Sequence, residues 1–231
     1  MTSGTPLTEI RLSKVDETNI GDHSRLLNDD ICLFLWEYTA GGGFSSGKAN
    51  DLISNLKKKP SERTTKGGWH YKGKAIDEAA AALSQALNPA WLKVATLVPA
   101  PPSKATDHPD YDDRIEQIVR KIRVPPGATA DIRPMVRNRA SRASAHESEQ
   151  RPTIEDLLGN LELDEAMAGA APVKSLGVFD DMLTTGTTFR AMATILGNRF
   201  PGVKITGIFI ARRAIPNPFA QLSVDKLLGD F

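Results

Sequence analysis

Apolar side chains fall into two regimes along this chain. In the first third they recur three and four residues apart. Ala49, Leu52, Ile53 and Leu56 form one helical face, and the alanine-rich stretch from Lys74 to Leu87 predicts a second helix. Asp29 and Asp30 stand ahead of Ile31, Leu33, Phe34, Leu35 and Trp36, which predicts a capped, mostly buried helix closed by Gly41, Gly42 and Gly43. From Lys93 onward short apolar runs take over. Val94 to Val98 predicts a buried strand stopped by Pro99, Pro101 and Pro102. Ile115, Ile118, Val119 and Ile122 predict an amphipathic helix ending before Pro125 and Pro126, and Thr129 to Val136 a second strand. A polar loop from Arg137 to Gln150 follows, then a capped helix (Thr153 to Leu158), a strand (Val173 to Phe179), a helix (Thr188 to Phe200) and a strand (Val203 to Ile210). Strands alternating with helices predict an α/β fold with a central, mostly parallel sheet flanked by helices. The expected division is an N-terminal helical region over 1–92, a core over 93–214 and a tail over 215–231.

Composition narrows the function classes. Of 231 residues 40% are hydrophobic, enough for one substantial core. Lys and Arg number 29 against 28 Asp and Glu, which excludes an overall basic nucleic-acid coat or an acidic interaction protein, so any charge signal must be local. The single cysteine, Cys32, excludes an intramolecular disulfide framework and any zinc site of several thiolates. Apolar runs such as Leu92 to Ala100 are far short of a membrane span, and the first residues have no signal-peptide core. A cytoplasmic protein without membrane contact is expected.

The segment Leu176 to Thr188 carries the chemistry. An apolar run delivers two adjacent carboxylates, Asp180 and Asp181, followed by Thr184, Thr185, Gly186, Thr187 and Thr188 at the start of a helix. Loop amides and a helix N-terminus can hold a phosphate, threonine hydroxyls can donate to its other oxygens, and Gly186 lets the backbone come close. Two carboxylates just before such a cradle suit the neighbouring hydroxyls of a sugar. Helix capping accounts for one threonine but not for the whole cluster. The run lacks the Gly-Lys-Ser/Thr ending of a Walker loop and the spacing of a dinucleotide GxGxxG.

Leu176 to Thr188 closely resembles the PRPP-binding signature of type I phosphoribosyltransferases, an apolar strand leading to two acidic residues and a Thr/Ser-Gly-x-Thr/Ser loop. Leu97 to Lys104, with Ala100, Pro101, Pro102, Ser103 and Lys104 at its end, looks like that family's pyrophosphate loop. The Val-Pro-x-Pro pattern and the later Ala211-Arg212 are similar to the ComF-like subgroup. Two features depart from it. Cys32 alone cannot build that subgroup's zinc finger, and Tyr111-Asp112-Asp113-Arg114 replaces its usual Arg-Gly-Phe-Asn-Gln element.

The resemblance implies a type I phosphoribosyltransferase (PRTase) fold with an N-terminal helical hood. It implies a transferase that binds PRPP or a ribose 5-phosphate nucleotide with Mg²⁺ and releases pyrophosphate. Asp180, Asp181, Lys104 and Arg137 are then the catalytic candidates. Thr184 to Thr188 and Ala100 to Ser103 are the substrate-binding candidates, and no protein metal ligand is expected. A homodimer and a DNA or DNA-processing partner are further expectations. The alternative is a non-catalytic nucleotide sensor or ComF-like accessory of a DNA-processing or defence system.

Other features stay open between two readings. Arg133, Arg137, Arg139, Arg142 and Arg151 are either cations for a leaving pyrophosphate or a solvated polar loop, and His146 is a candidate acid or base there. Lys57, Lys58 and Lys59 are either a solvated helix end or a nucleic-acid patch. Trp69, His70 and Tyr71 either dock a loop onto the core or cover a ligand.

Overall fold

The computed structural model describes residues 9–43, 46–141, 152–169 and 174–216. In chain order its elements are β1 (Ser13–Lys14), β2 (Ile31–Thr39), α1 (Lys48–Leu56), α2 (His70–Ala86), α3 (Pro89–Leu92), β3 (Ala95–Pro99), α4 (Arg114–Arg120), β4 (Asp131–Ile132), β5 (Val136–Asn138), α5 (Ile154–Asn160), β6 (Leu161–Leu163), α6 (Glu165–Ala168), β7 (Ser175–Leu183), α7 (Thr187–Arg199) and β8 (Lys204–Ala214). Six strands form one sheet in the order β1-β2-β8-β7-β3-β4. All its pairings are parallel except the short edge pair β1 and β2. β5 and β6 form a separate antiparallel ribbon. The expected α/β class with a mostly parallel sheet is therefore present.

Helices cover both faces. On one, Leu52, Ile53 and Leu56 of α1, Ala79 and Leu83 of α2 and Ile118 and Val119 of α4 pack with Leu97, Phe179 and Ile208 of the sheet. On the other, Leu157 of α5 and Met192 and Leu196 of α7 pack with Val98, Val178 and Phe209. The crossovers β3-α4-β4 and β7-α7-β8 run in opposite directions along the sheet. Right-handed connections of opposite direction cover opposite faces, as α4 and α7 do.

The helix expected over Ile31 to Trp36 is the strand β2. It pairs with β8 from Ile31↔Thr206 to Thr39↔Ala214. Cys32 and Phe34 are buried in one layer and Leu35 in the other. A strand covered on both faces loses the alternation that marks a half-buried one, so its continuous apolar run mimics a buried helix. The N-terminal 1–92 region is consequently more than a helical hood. It contributes a strand to the sheet, and its helices share a hydrophobic cluster with β3, β7 and β8. Cys32 itself is buried, and burial, reinforced by Asp30, pushes its thiol up to about 12.

Two smaller corrections concern boundaries. α2 begins at His70 rather than Lys74, so His70 and Tyr71 belong to its first turn and Trp69 precedes it. The strand expected from Thr129 to Val136 is split at Pro134 into β4 and β5. Pro134 has no N–H, and the Met135 N–H bonds back to the Arg133 carbonyl at 2.8 Å, closing a tight turn. Thr153 caps α5 as expected, in a reciprocal capping box with Asp156. Among the described residues no helix is long and apolar enough to cross a membrane.

Candidate functional site

β3 and β7 lie side by side, in register from Ala95↔Ser175 to Pro99↔Phe179. Their continuations diverge, β3 toward β4 at the edge and β7 toward β8 on the other side. This is the switch point of the sheet, where loops leaving the carboxyl ends of neighbouring strands separate and open a crevice. The two motifs singled out in the sequence are the two loops that leave it.

Thr184, Thr185 and Gly186 connect β7 to α7. Gly186 adopts φ 88°, the left-handed region, and no side chain caps the helix it opens. The first-turn amides of α7, which have no intrahelical acceptors, therefore also lack a side-chain cap at this position. The Thr185 and Thr187 hydroxyls bond each other at 2.8 Å. Asp180, Leu183, the whole Thr184 to Thr188 run, Phe189, Phe209 and Pro152 line a cleft open to solvent.

The two carboxylates lie on opposite faces of the sheet rather than side by side. The Asp180 carboxylate faces the cleft and accepts the Asp181 N–H at 2.7 Å. Asp181 is buried among the residues of the opposite layer. It accepts two bonds from Arg114, Nε at 3.0 Å and Nη2 at 2.6 Å, and stands 3.6 Å from Lys57 Nζ. Successive residues of a strand point to opposite faces, which separates adjacent carboxylates that sequence proximity suggests are joined. Arg114 also donates from Nη1 to Asp112 at 2.7 Å, and Asp112 accepts from Lys72 Nζ at 2.8 Å. Lys72 is buried and donates to the carbonyls of Leu56, the last residue of α1, and of Lys58. A chain of alternating charge thus runs Lys72, Asp112, Arg114, Asp181, Lys57.

The electrostatics follow from this arrangement. Burial opposes the charge on Arg114, but Asp181 and Asp112 outweigh it and hold the guanidinium above its ordinary range. Burial pushes Lys72 down, against the attraction of Asp112. Burial, then the negative charge of Asp181, raises the Asp180 carboxyl to about 7.

The raised carboxyl has a testable consequence. Between the ordinary aspartate range and about pH 7, folded Asp180 binds a proton that the unfolded chain has released, so its contribution to stability falls as pH rises through that window. An Asp180→Asn variant keeps the oxygen that accepts the Asp181 N–H but cannot ionise. Relative to wild type, it is expected to be nearly neutral at pH 4 and clearly more stable at pH 8. Urea titrations at the two pH values measure the difference.

The remaining candidates are placed differently. Ala100, Pro101, Pro102, Ser103 and Lys104 follow β3 beside the cleft, but none of them lines it. Ala100 is bound by its N–H to the Phe179 carbonyl at 2.8 Å, and the loop is tied to the ribbon, the Pro102 carbonyl accepting from Asn138. Arg137 sits on β5 directly opposite Glu162 of β6 and pairs with it at 2.8 Å, with Asp164 at 3.5 Å. This cross-strand pair keeps Arg137 exposed at the ribbon rather than in the cleft. Arg139 shares Glu162, and Arg133 binds Asp131 and the Ala168 carbonyl, an internal tie. Arg142, His146 and Arg151 lie outside the described residues, as does the tail beyond residue 216. Lys57 faces a buried carboxylate, which neither sequence reading anticipated, and Lys58 is bound to Asn55 and the Gly68 carbonyl. Tyr71 is 47% exposed, with Lys58 and Lys74 within 5.4 Å of its ring centre.

Comparisons with protein-family models and with curated proteins return no match. The geometry therefore stands as the basis for any functional reading. Two contributors to it were missed in the sequence. Arg114 stood in plain view as the end of Tyr111-Asp112-Asp113-Arg114, where its position at the start of an amphipathic helix was the available signal. His23 had none. It is fully buried behind the threonine loop, its Nδ1 2.5 Å from the Thr184 carbonyl, while the Arg25 N–H donates to the Thr185 carbonyl at 2.9 Å. Among the described residues no group of three or more His, Cys, Asp or Glu is placed to hold a metal ion.

Proposed function

We propose that the cleft binds the ribose 5-phosphate end of PRPP or of a nucleotide, and that the protein is a phosphoribosyltransferase of type I architecture acting on an acceptor yet to be found. The observation that carries this reading is the uncapped, glycine-opened start of α7 in one cleft with Asp180 at the sheet's switch point. Amides and hydroxyls of Thr184 to Thr188 take the 5-phosphate. Asp180 accepts from a ribose hydroxyl. Asp181, held by Arg114 and Lys57, supports Asp180 from the other face rather than touching sugar. The ribbon of β5 and β6 beside the loop after β3 is in keeping with a segment that closes over the diphosphate.

Mg²⁺ is the cofactor this reading implies. Asp180 is the one candidate carboxylate facing the cleft, a donor set that fits an ion held mainly by diphosphate oxygens and water. When bound, the ion neutralises charge on the departing pyrophosphate.

Isothermal titration with PRPP and Mg²⁺ tests the site. Wild type is expected to bind, Asp180→Asn to weaken binding at least tenfold. Unchanged binding in the Asp180→Asn/Asp181→Asn double variant would overturn the assignment. A second reading, a non-catalytic nucleotide sensor or accessory of a DNA-processing system, is favoured by the commitment of Asp181 to Arg114. It predicts binding of PRPP without pyrophosphate release over a panel of bases.

A further inference from the structure

The segment from Asp22 to Asp30, between β1 and β2, crosses behind the threonine loop without lining the cleft. It is laced to the loop and its surroundings at several points. His23 Nδ1 donates to the Thr184 carbonyl at 2.5 Å, and the Arg25 N–H to the Thr185 carbonyl at 2.9 Å. Leu26 packs so closely on Gly186 that a Cβ there would lie 2.6 Å from its Cδ2. The flanks are anchored by Asp22 to Arg212 at 2.9 Å and by Asp30 to Arg190 of α7 at 2.7 Å.

We infer that this segment is a strap that sets the orientation of the phosphate-binding loop, with His23 as its positioning residue. In a trans peptide the carbonyl and the following N–H point in opposite directions. Two consecutive loop carbonyls, those of Thr184 and Thr185, turn toward the strap. The N–H groups of Thr185 and Gly186 are therefore turned away from it, where they are free to meet an anion. Without the strap each of these peptides can rotate and present a carbonyl oxygen, which repels a phosphate.

His23 is suited to the task because it is buried and neutral. Burial holds its imidazole below the ordinary range, with Arg212 and Arg213 acting in the same direction and Asp22 and the Thr184 carbonyl opposing. Nδ1 carries the proton, and Nε2 has no protein partner among the described residues. Only one atom of the ring makes a directed bond, and an asparagine places an N–H at the equivalent position.

The inference rests on the anion-binding reading of the cleft, so its test has one readout that needs no ligand. Backbone ¹⁵N relaxation is measured for residues 184–188 in wild type, His23→Phe, His23→Asn and Leu26→Ala, together with calorimetric binding of ribose 5-phosphate. In wild type and His23→Asn the loop is expected to show order parameters of about 0.85; in His23→Phe they fall below about 0.6, with an intermediate loss in Leu26→Ala. Ribose 5-phosphate binding is expected to weaken at least tenfold in His23→Phe and less than threefold in His23→Asn. Leu26→Ala retains both strap hydrogen bonds and gives a reading should His23→Phe not fold. A rigid loop in both His23→Phe and Leu26→Ala, or a His23→Asn as defective as His23→Phe, overturns the strap. Absence of ribose 5-phosphate binding in wild type overturns the reading of the cleft instead, and the order parameters then decide the strap alone.

Discussion

Replacing Arg114 with methionine is expected to cost about 3 kcal/mol of stability, the largest effect of any single change near the site. The methionine fills much of the same space but supplies none of the three bonds that Arg114 makes to Asp181 and Asp112. Asp181 is buried, and removal of its guanidinium partner takes two charge-assisted bonds from it while Lys57 Nζ stands 3.6 Å away. Breaking a buried pair from one side is expensive because the surviving charge keeps its desolvation cost. Arg114→Lys restores charge without the planar fork and should recover only part of the loss. Guanidinium unfolding with an unchanged m-value measures the difference, and a loss below about 1 kcal/mol for Arg114→Met would show that the charge chain contributes little.

Gly186→Ala combines a fold defect with a site defect. The φ of 88° at this position disfavours any side chain by about 1–2 kcal/mol. The new methyl group would also meet Leu26 Cδ2 at 2.6 Å and Cγ at 2.9 Å, so the leucine must move. A stability loss of about 2 kcal/mol is expected, accompanied by at least a tenfold loss of PRPP affinity, because the displaced residue belongs to the segment that holds the loop. Denaturation and titration calorimetry on the same preparation separate the two. Full affinity in a destabilised Gly186→Ala would show that loop geometry is not what recognises the ligand.

Much of the second half was legible because local pattern and tertiary environment agree there. The strands β3 and β7, the helices α4, α5 and α7, and the threonine loop all follow from short apolar runs, apolar residues at helical spacing and, for α5, a capping residue, although β7 runs four residues past the expected end at Phe179 and so takes Asp180 and Asp181 into the strand. β2 was not legible, because the sheet is covered on both faces there and periodicity carries no information over the wholly apolar run Ile31 to Trp36. The site was legible where it is local and illegible where it is tertiary. Asp180 and Thr184 to Thr188 are neighbours in sequence and share one cleft. Arg137 looked like a cation for the site, but the register of the ribbon sets it against Glu162. Lys57 and Arg114 meet Asp181 only because α1 and α4 cover the same face of the sheet. His23, 161 residues from Thr184, could not be tied to it by any pattern along the chain.

The alternating row from Lys72 to Lys57 has an electrostatic outcome at the mouth of the sheet. Within the row three cations flank two anions, so the charge of Asp181 is compensated from its own side, and Asp180 adds little negative charge below about pH 7. The adjacent aspartates therefore repel an approaching polyanion less than two uncompensated carboxylates would.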